Sequence, residues 1–323
     1  MTSYEQLVLR MQANYSNYYY VYANGGTPYE ISTAKAMPYE KQLEELLKQI
    51  EWADCVIVGG ASGLSAAGGG DFYYGDSPSF QKHFGKFAKK YGFKGAFAGM
   101  RHPYKTKEEY WAYMAAFLYA IQSNPLLKPY EGLDALIRHK DFFILTTNQD
   151  VQFTKLYPRS KVSQIQGEED QFHCSNGCTD EVWDARPQVQ KMMDAMGDTT
   201  TIPTEMIPRC PHCGAEVYPW VRYGPHFSGP RYEEEYQKIS DYIENNAQKK
   251  ILFLELGVGR MTPMFIQEPF WQLTSVLPNA RYISVNDRYN LLPKGIEHKG
   301  MVIVEDIAKV LQDAVQKKEQ SNG

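Results

Sequence analysis

Three stretches of the chain carry side chains, or a lack of them, that could do chemistry. The first is CVIVGGASGLSAAGGGDFYY, residues 55–74, in which an apolar run ends in six glycines. A loop leaving a strand end with Gly59, Gly60, Gly63 and Gly68 to Gly70 lets backbone N–H groups approach a pyrophosphate with no Cβ in the way. The spacing is not the strict G-x-G-x-x-G of dehydrogenases, and no acidic residue ends a second strand about twenty residues on. As a pattern alone it would also suit a mobile surface loop. The second stretch is TTNQD, residues 146–150, where Asn148 and Asp150 follow an apolar strand. Amide and carboxylate dipoles at that place can support a developing positive charge; otherwise they are an ordinary turn pair.

The third is a pair of cysteine knuckles, Cys174-Ser-Asn-Gly-Cys178 and Cys210-Pro-His-Cys213, the second followed by Gly214 for a tight turn. Four thiolates make a closed tetrahedral zinc site with no position left for water, so the metal would hold a module together and do no chemistry. Recruitment of His173 or His212 to a catalytic zinc is disfavoured on that ground. Two disulfides are the alternative, and they do not suit a chain without an export signal. Cys55 sits inside an apolar strand and reads as an inert core thiol.

These groups need a scaffold. Short apolar runs at 54–60, 141–147, 161–165, 250–257, 280–286 and 300–306 lack alternation, which predicts strands covered on both faces and therefore a parallel sheet. Helical spacing at 40–53, 107–122, 130–140, 231–248 and 305–316 supplies the crossovers. The fold class is α/β, a Rossmann-like doubly wound parallel sheet with a small zinc-ribbon module and a helical insertion at about 75–125. The expected organisation is a Tyr-rich extension over 1–40, the sheet domain over 41–165 and 225–316, and the zinc module over 166–224. A polar, disordered tail follows over 317–323. The inserted module is rich in Cys, Pro and Gly and shows no sheet periodicity. The tyrosine cluster NYSNYYYVY in the extension reads as packing.

With 323 residues and a formal net charge of −4, the chain can bury a large core but has no clustered basic surface for nucleic acid or an anionic membrane. Its N-terminus lacks a basic head with an apolar run, and no segment approaches a membrane span, so a soluble, cytoplasmic protein is expected.

In order and spacing, six motifs resemble the sirtuin family over about residues 45–315. GASGLSAAGGGDF is similar to its cofactor loop, TTNQD to T-Q-N-x-D, and the cysteine pairs to its zinc ribbon. LGVGRMTP (256–263) is similar to G-T-S-x-x-V-x-P, SVND (284–287) to I-N-x-E, and VED (304–306) to the acidic end of the last strand. The resemblance implies NAD as co-substrate, cleaved at the nicotinamide–ribose bond, beside a structural zinc. It places Gly60, Ala61, Ser62 and Gly63, with Asp71 and Phe72, on the cofactor loop. Asn148 and Asp150 would sit in the nicotinamide-ribose pocket, Gly257 and Val258 on the phosphate and ribose side, Asn286 and Asp287 by the adenine ribose, and Asp306 near the adenine.

Two departures redirect the chemistry. Where deacylating sirtuins carry a His-Gly pair, this chain reads Gln166-Gly167, and an amide can orient a hydroxyl but cannot take its proton. Tyr73 stands where an Arg is usual. Lysine deacylation should then be slow, whereas an Asp or Glu acceptor, ionised at neutral pH, can attack the ribose without a base. The pattern resembles the macrodomain-linked class M sirtuins. That resemblance implies protein mono-ADP-ribosylation of a lipoyl-carrier protein related to the glycine cleavage H protein, with a macrodomain that reverses the mark. An NAD glycohydrolase, a weak deacylase, and a non-catalytic NAD or ADP-ribose sensor remain alternatives; a hydride-transferring dehydrogenase fits least.

Overall fold

The computed structural model describes residues 1–69, 72–73, 75–222 and 227–322. Helices α1 (Ser3–Asn17), α2 (Tyr19–Ala23) and α3 (Tyr39–Trp52) precede the first strand, β1 (Cys55–Gly60). A short α4 (Ser62–Ala67) leads to a helical segment of α5 (Pro78–Tyr91), α6 (Ala96–Met100) and α7 (Lys107–Gln122). Then come α8 (Lys128–Ile137), β2 (Asp141–Thr146), α9 (Gln152–Leu156) and β3 (Val162–Gln164). After these lie β4 (Gly167–Cys174), β5 (Val182–Asp184), α10 (Arg186–Met196) and β6 (Val217–Val221). The chain closes with α11 (Pro230–Asn246), β7 (Ile251–Leu256), α12 (Gln267–Val276), β8 (Ala280–Asn286), β9 (Gly300–Val304) and α13 (Ile307–Asn322).

All pairings in the large sheet are parallel, in the order β3-β2-β1-β7-β8-β9. This is the doubly wound order, with its reversal between β1 and β7. Period-two geometry explains the unbroken apolar runs. Val56 and Val58 face a core made by Leu46 of α3, Leu136 of α8 and Leu311 of α13. Cys55 and Ile57 face the other, made by Leu7 of α1, Ile239 of α11 and Phe270 of α12. Cys55 is fully buried, and burial pushes its thiol up to about 11, which keeps it inert at neutral pH.

A third core joins α5, α6 and α7 to α10 and the cysteine-bearing segment, with Phe84, Trp111, Phe117, Phe172 and Met192 at its centre. The helices that build it have clear start signals: Ser77 accepts from Phe80 N with Pro78 in the first turn, and Thr106 accepts from Glu109 N. Two expectations are corrected here. The cysteine-bearing segment does contain sheet, a three-stranded antiparallel one in the order β5-β4-β6. Its central strand, GEEDQFHC, is buried along its whole length yet carries acids, so no apolar pattern betrays it. The polar end of the chain is helical to Asn322, because Lys317 pairs with Glu44 at 3.1 Å and Lys318 donates to the Ala135 carbonyl at 3.3 Å. Among the described residues no helix is long and apolar enough to cross a membrane.

Candidate active site

A cleft of about 700 Å³ opens where β1, β2, β7 and β8 end, between the large sheet and the helical segment. Its floor is set by two glycines in contact. A Cβ on Gly63 would lie 2.7 Å from the Gly257 Cα, and one on Gly257, whose φ is +72°, would lie 2.6 Å from the Gly63 Cα. Gly63 N donates to the Gly257 carbonyl at 3.1 Å and Ala61 N to the Leu256 carbonyl at 3.0 Å, which locks the loops after β1 and β7 together. Ser62, Gly63, Gly257 and Val258 line the cleft; Gly60 and Ala61 lie behind them, Gly60 against the Phe153 ring.

The loop after β2 brings Asn148 and Asp150 to the same cleft. Asn148 is nearly buried, and its amide nitrogen lies within hydrogen-bond distance of the Ala61 carbonyl (3.0 Å), Ser65 Oγ (3.1 Å) and Tyr130 Oη (3.0 Å). With two hydrogens to give, that nitrogen is fully engaged, so its carbonyl oxygen is the atom left for a ligand. Asp150 accepts from Ser65 Oγ, and burial pushes its carboxyl above the usual carboxylate range. Next to it, Val151 adopts a left-handed conformation with φ +56°, which is rare for a β-branched residue. Such strain persists only where the surroundings impose it, and Val151 is held in the third core.

Gln166 and Glu169 enter from the start of β4. Gly167 has φ +82° and passes so close to the Trp220 carbonyl that a Cβ there would lie 2.0 Å away. The pairing of β4 with β6 shifts register between Glu168 and Phe172, the kind of irregularity that re-aims side chains beside a site. Gln149 spans the two loops: its Nε2 donates to the Gln166 carbonyl at 2.8 Å, and its own carbonyl accepts from Glu169 N at 3.0 Å. The Gln166 Nε2 and Glu169 Oε2 atoms are buried without a partner. Burial, and secondarily the charge of Asp170, pushes the Glu169 carboxyl up to about 8. The sequence does not single out Glu169; its one signal is the run of three acids, Glu168 to Asp170, directly after the Gln-Gly pair.

Other expected residues divide. Asn286 lines the cleft, but its side chain is spent on the loops: Nδ2 donates to the Val258 carbonyl at 3.0 Å, and Oδ1 accepts from Arg288 N at 3.0 Å and Tyr289 N at 3.2 Å. Asp287 lies exposed at the rim beside Arg288. Asp306 lines the far end and caps α13, accepting from Lys309 N at 2.8 Å. Phe72 is buried in the third core rather than in the cleft lining, while Tyr73 lines the cleft and stacks on Phe97 with centroids 5.1 Å apart. Asp71 falls outside the described residues. Arg260, also on the lining, lies within LGVGRMTP at a position to which the resemblance gives no role.

Away from the cleft, the sulfurs of Cys174, Cys178, Cys210 and Cys213 all lie within 4.8 Å of one another. Cys174 to Cys213 and Cys178 to Cys210 are each 3.6 Å apart, too far for a disulfide and close to the edge of a tetrahedron built on zinc–sulfur bonds of about 2.3 Å. The donor set fits a structural zinc, and Gly214, at φ +73°, makes the turn after Cys213.

Solved structures of sirtuins share this fold. A Sir2 homolog–NAD complex aligns with a TM-score of 0.54 at 13% identity, covering 91% of this chain and 97% of that one. A second Sir2 enzyme structure aligns with a TM-score of 0.52 at 16% identity, covering 87% of this chain and 99% of that one. No family model matches the chain. A probable bifunctional ADP-ribose hydrolase/ADP-ribosyltransferase of Fusarium oxysporum f. sp. cubense is 27% identical over 284 residues, 82% of this chain but 45% of that protein's length. A protein ADP-ribosyltransferase of Staphylococcus aureus (strain Mu50 / ATCC 700699) is 32% identical over 279 residues, 85% of this chain and 87% of that one. The chain belongs to the protein ADP-ribosyltransferases built on the sirtuin fold.

Proposed function

We propose that the protein breaks the nicotinamide–ribose bond of NAD and passes ADP-ribose to a side chain of another protein. The observation that carries this is Gln166, an amide lining the same cleft as Asn148 and Asp150. Bond breaking needs only support for an oxocarbenium-like transition state, which the Asn148 carbonyl and the Asp150 carboxylate can give. Drawing a proton from a ribose hydroxyl, the step that deacylation requires, needs a base that Gln166 is not.

In this reading Ser62 and Gly63, with Gly257 and Val258, hold the phosphates and the nicotinamide ribose, and Gly60 and Ala61 shape that loop from behind. Asn286, Asp287 and Asp306 bound the adenosine end, Asn286 by shaping the loop and Asp306 from the α13 cap. Asp71 and Phe72 would complete the cofactor loop. The acceptor is a lipoyl-carrier protein of the glycine cleavage H type, attacked through a carboxylate, as the resemblance to class M sirtuins suggests. A macrodomain hydrolase would reverse the mark. In support, the Fusarium relative is named for both a hydrolase and a transferase.

The test is incubation with NAD labelled in its adenosine half and lipoylated carrier, beside acetyl-lysine peptides. Label on the carrier with acetyl groups retained is expected. Rapid peptide deacetylation with an unlabelled carrier overturns the reading, and free ADP-ribose as the sole product marks a glycohydrolase instead.

A further inference from the structure

Two buried polar groups that line the cleft have no partner, the Gln166 amide nitrogen and the second oxygen of Glu169. Buried donors and acceptors left unpaired cost free energy, and a ligand that satisfies them recovers it. Resting on the transferase reading above, we propose that Gln166 and Glu169 together form the acceptor subsite, two hydrogen-bond donors that receive the carboxylate of the acceptor side chain.

Gln166 donates through its amide whatever the pH. Glu169 donates only while it carries a proton, and with its carboxyl pushed up to about 8 it does so at neutral pH. Burial is the chief cause, and no charge around it offsets that. Asp170, its neighbour on β4, is paired with Arg159 at 3.1 Å and lies 4.0 Å from Arg186, and Glu168 is paired with Arg159. Across the loop stands Asp150, with Lys155 beyond it on α9. Where α7 packs on β4, it offers the uncharged Gln122, whose amide donates to the Glu169 carbonyl at 2.9 Å. Past β6, Arg222 donates its backbone N–H to the Gln166 carbonyl at 2.9 Å. Among the described residues no cation pairs with Glu169, so nothing holds it ionised.

The step balances without a proton transfer. A carboxylate oxygen of the acceptor forms the bond to C1′ as the C1′–nitrogen bond breaks, and nicotinamide leaves with the electron pair as a neutral molecule. The acceptor's negative charge and the ring's positive charge are lost together. Glu169 keeps its proton throughout, because its work is to bring a carboxylate into a cleft where an ionised Glu169 would repel it. The pH dependence that follows is opposite to that of a general base: transfer falls as pH rises through the Glu169 range.

The experiment measures NAD affinity, and KM for lipoylated carrier by nicotinamide release from pH 6 to 9, for wild type, Glu169→Gln and Glu169→Leu. For the wild type, KM is expected to rise about tenfold above pH 8 while NAD affinity stays level, and the carrier label should be labile to neutral hydroxylamine, as an acyl ester is. Glu169→Gln, a neutral donor at every pH, should keep the neutral-pH KM within about twofold and lose the alkaline rise; Glu169→Leu should raise KM about tenfold at every pH. Transfer lost in Glu169→Gln at neutral pH, an unchanged profile, or a hydroxylamine-stable label overturns the subsite alone. Wild-type protein that binds NAD and releases no nicotinamide even with carrier present overturns the transferase reading and the subsite with it.

Discussion

Glu169 should leave a mark on stability as well as on transfer. A carboxyl whose folded value lies near 8, against an unfolded value of about 4.3, binds one more proton in the native state throughout that interval. Its contribution is therefore whole below about pH 4 and is lost as pH rises through 8. Glu169→Gln removes this dependence, so the variant should gain on the wild type progressively from pH 5 to 8, by a total on the order of 4 kcal/mol, read from chemical denaturation at several pH values. Equal slopes for the two proteins would show that the carboxyl is ionised in the native state. The glycine pair beneath the cleft gives a second test. A methyl group on Gly63 or Gly257 meets backbone rather than a movable side chain, so Gly257→Ala should cost about 2 kcal/mol or more and weaken NAD binding in calorimetry. Of these residues, Gln166 is legible in the sequence because it departs from a motif. Glu169 is not, since burial and the want of a partner arise only when β4 is folded against the loop after β2.

At the scale of elements, strands with both faces covered declare themselves. Ile251–Leu256 and Ala280–Asn286 fall within a residue of their apolar runs, and Lys107–Gln122 matches its helical spacing end for end. What stays hidden is held by charge. β4 carries Glu168, Glu169 and Asp170 into the interior, and the guanidinium of Arg159, from the turn before β3, pays for two of them by pairing with Glu168 and Asp170. Helix α10, β4 and β6 pack into one core with two of the four cysteines. Cys174 and Cys210 belong to the core that contains Phe117, which lines the cleft, and Val151, next to Asp150. Loss of the metal should loosen that core and carry the damage to the site. One zinc per chain is expected by elemental analysis, and Cys213→Ser should lose it together with most NAD cleavage. The large sheet would keep its far-ultraviolet signature, because its two face cores contain none of the four cysteines.

At the scale of the whole molecule, the N-terminal helices matter because of where the first residues end up. Helix α1 packs Tyr4, Leu7 and Val8 on the face of the sheet that α11 and α12 cover, and the Tyr4 hydroxyl donates to the Phe265 carbonyl at 2.9 Å. The tyrosine cluster divides there: Tyr18, Tyr19 and Tyr20 are exposed, whereas Tyr22 is fully buried and donates to Glu268 at 2.5 Å. The ring of Tyr22 lies 5.1 Å from the Arg260 guanidinium, which in turn donates to the Gly26 carbonyl at 2.9 Å and to Gln267. Arg260 lines the cleft, so a segment remote in sequence from every motif fixes part of its wall. The second oxygen of Glu268 is already unpartnered, and Tyr22→Phe strips the first as well, leaving a buried carboxyl with no donor at a cost of about 1–3 kcal/mol. The melting temperature should drop by a few degrees, and KM for NAD should rise several-fold with kcat spared, since the loop holding Asn148 and Asp150 is anchored elsewhere, by Ala61, Ser65 and Tyr130. Adding Glu268→Gln, which removes the charge that needed the hydroxyl, should restore most of the stability. A double variant no more stable than Tyr22→Phe alone would mean that the tyrosine acts through its ring on Arg260 and not through its bond to the carboxylate.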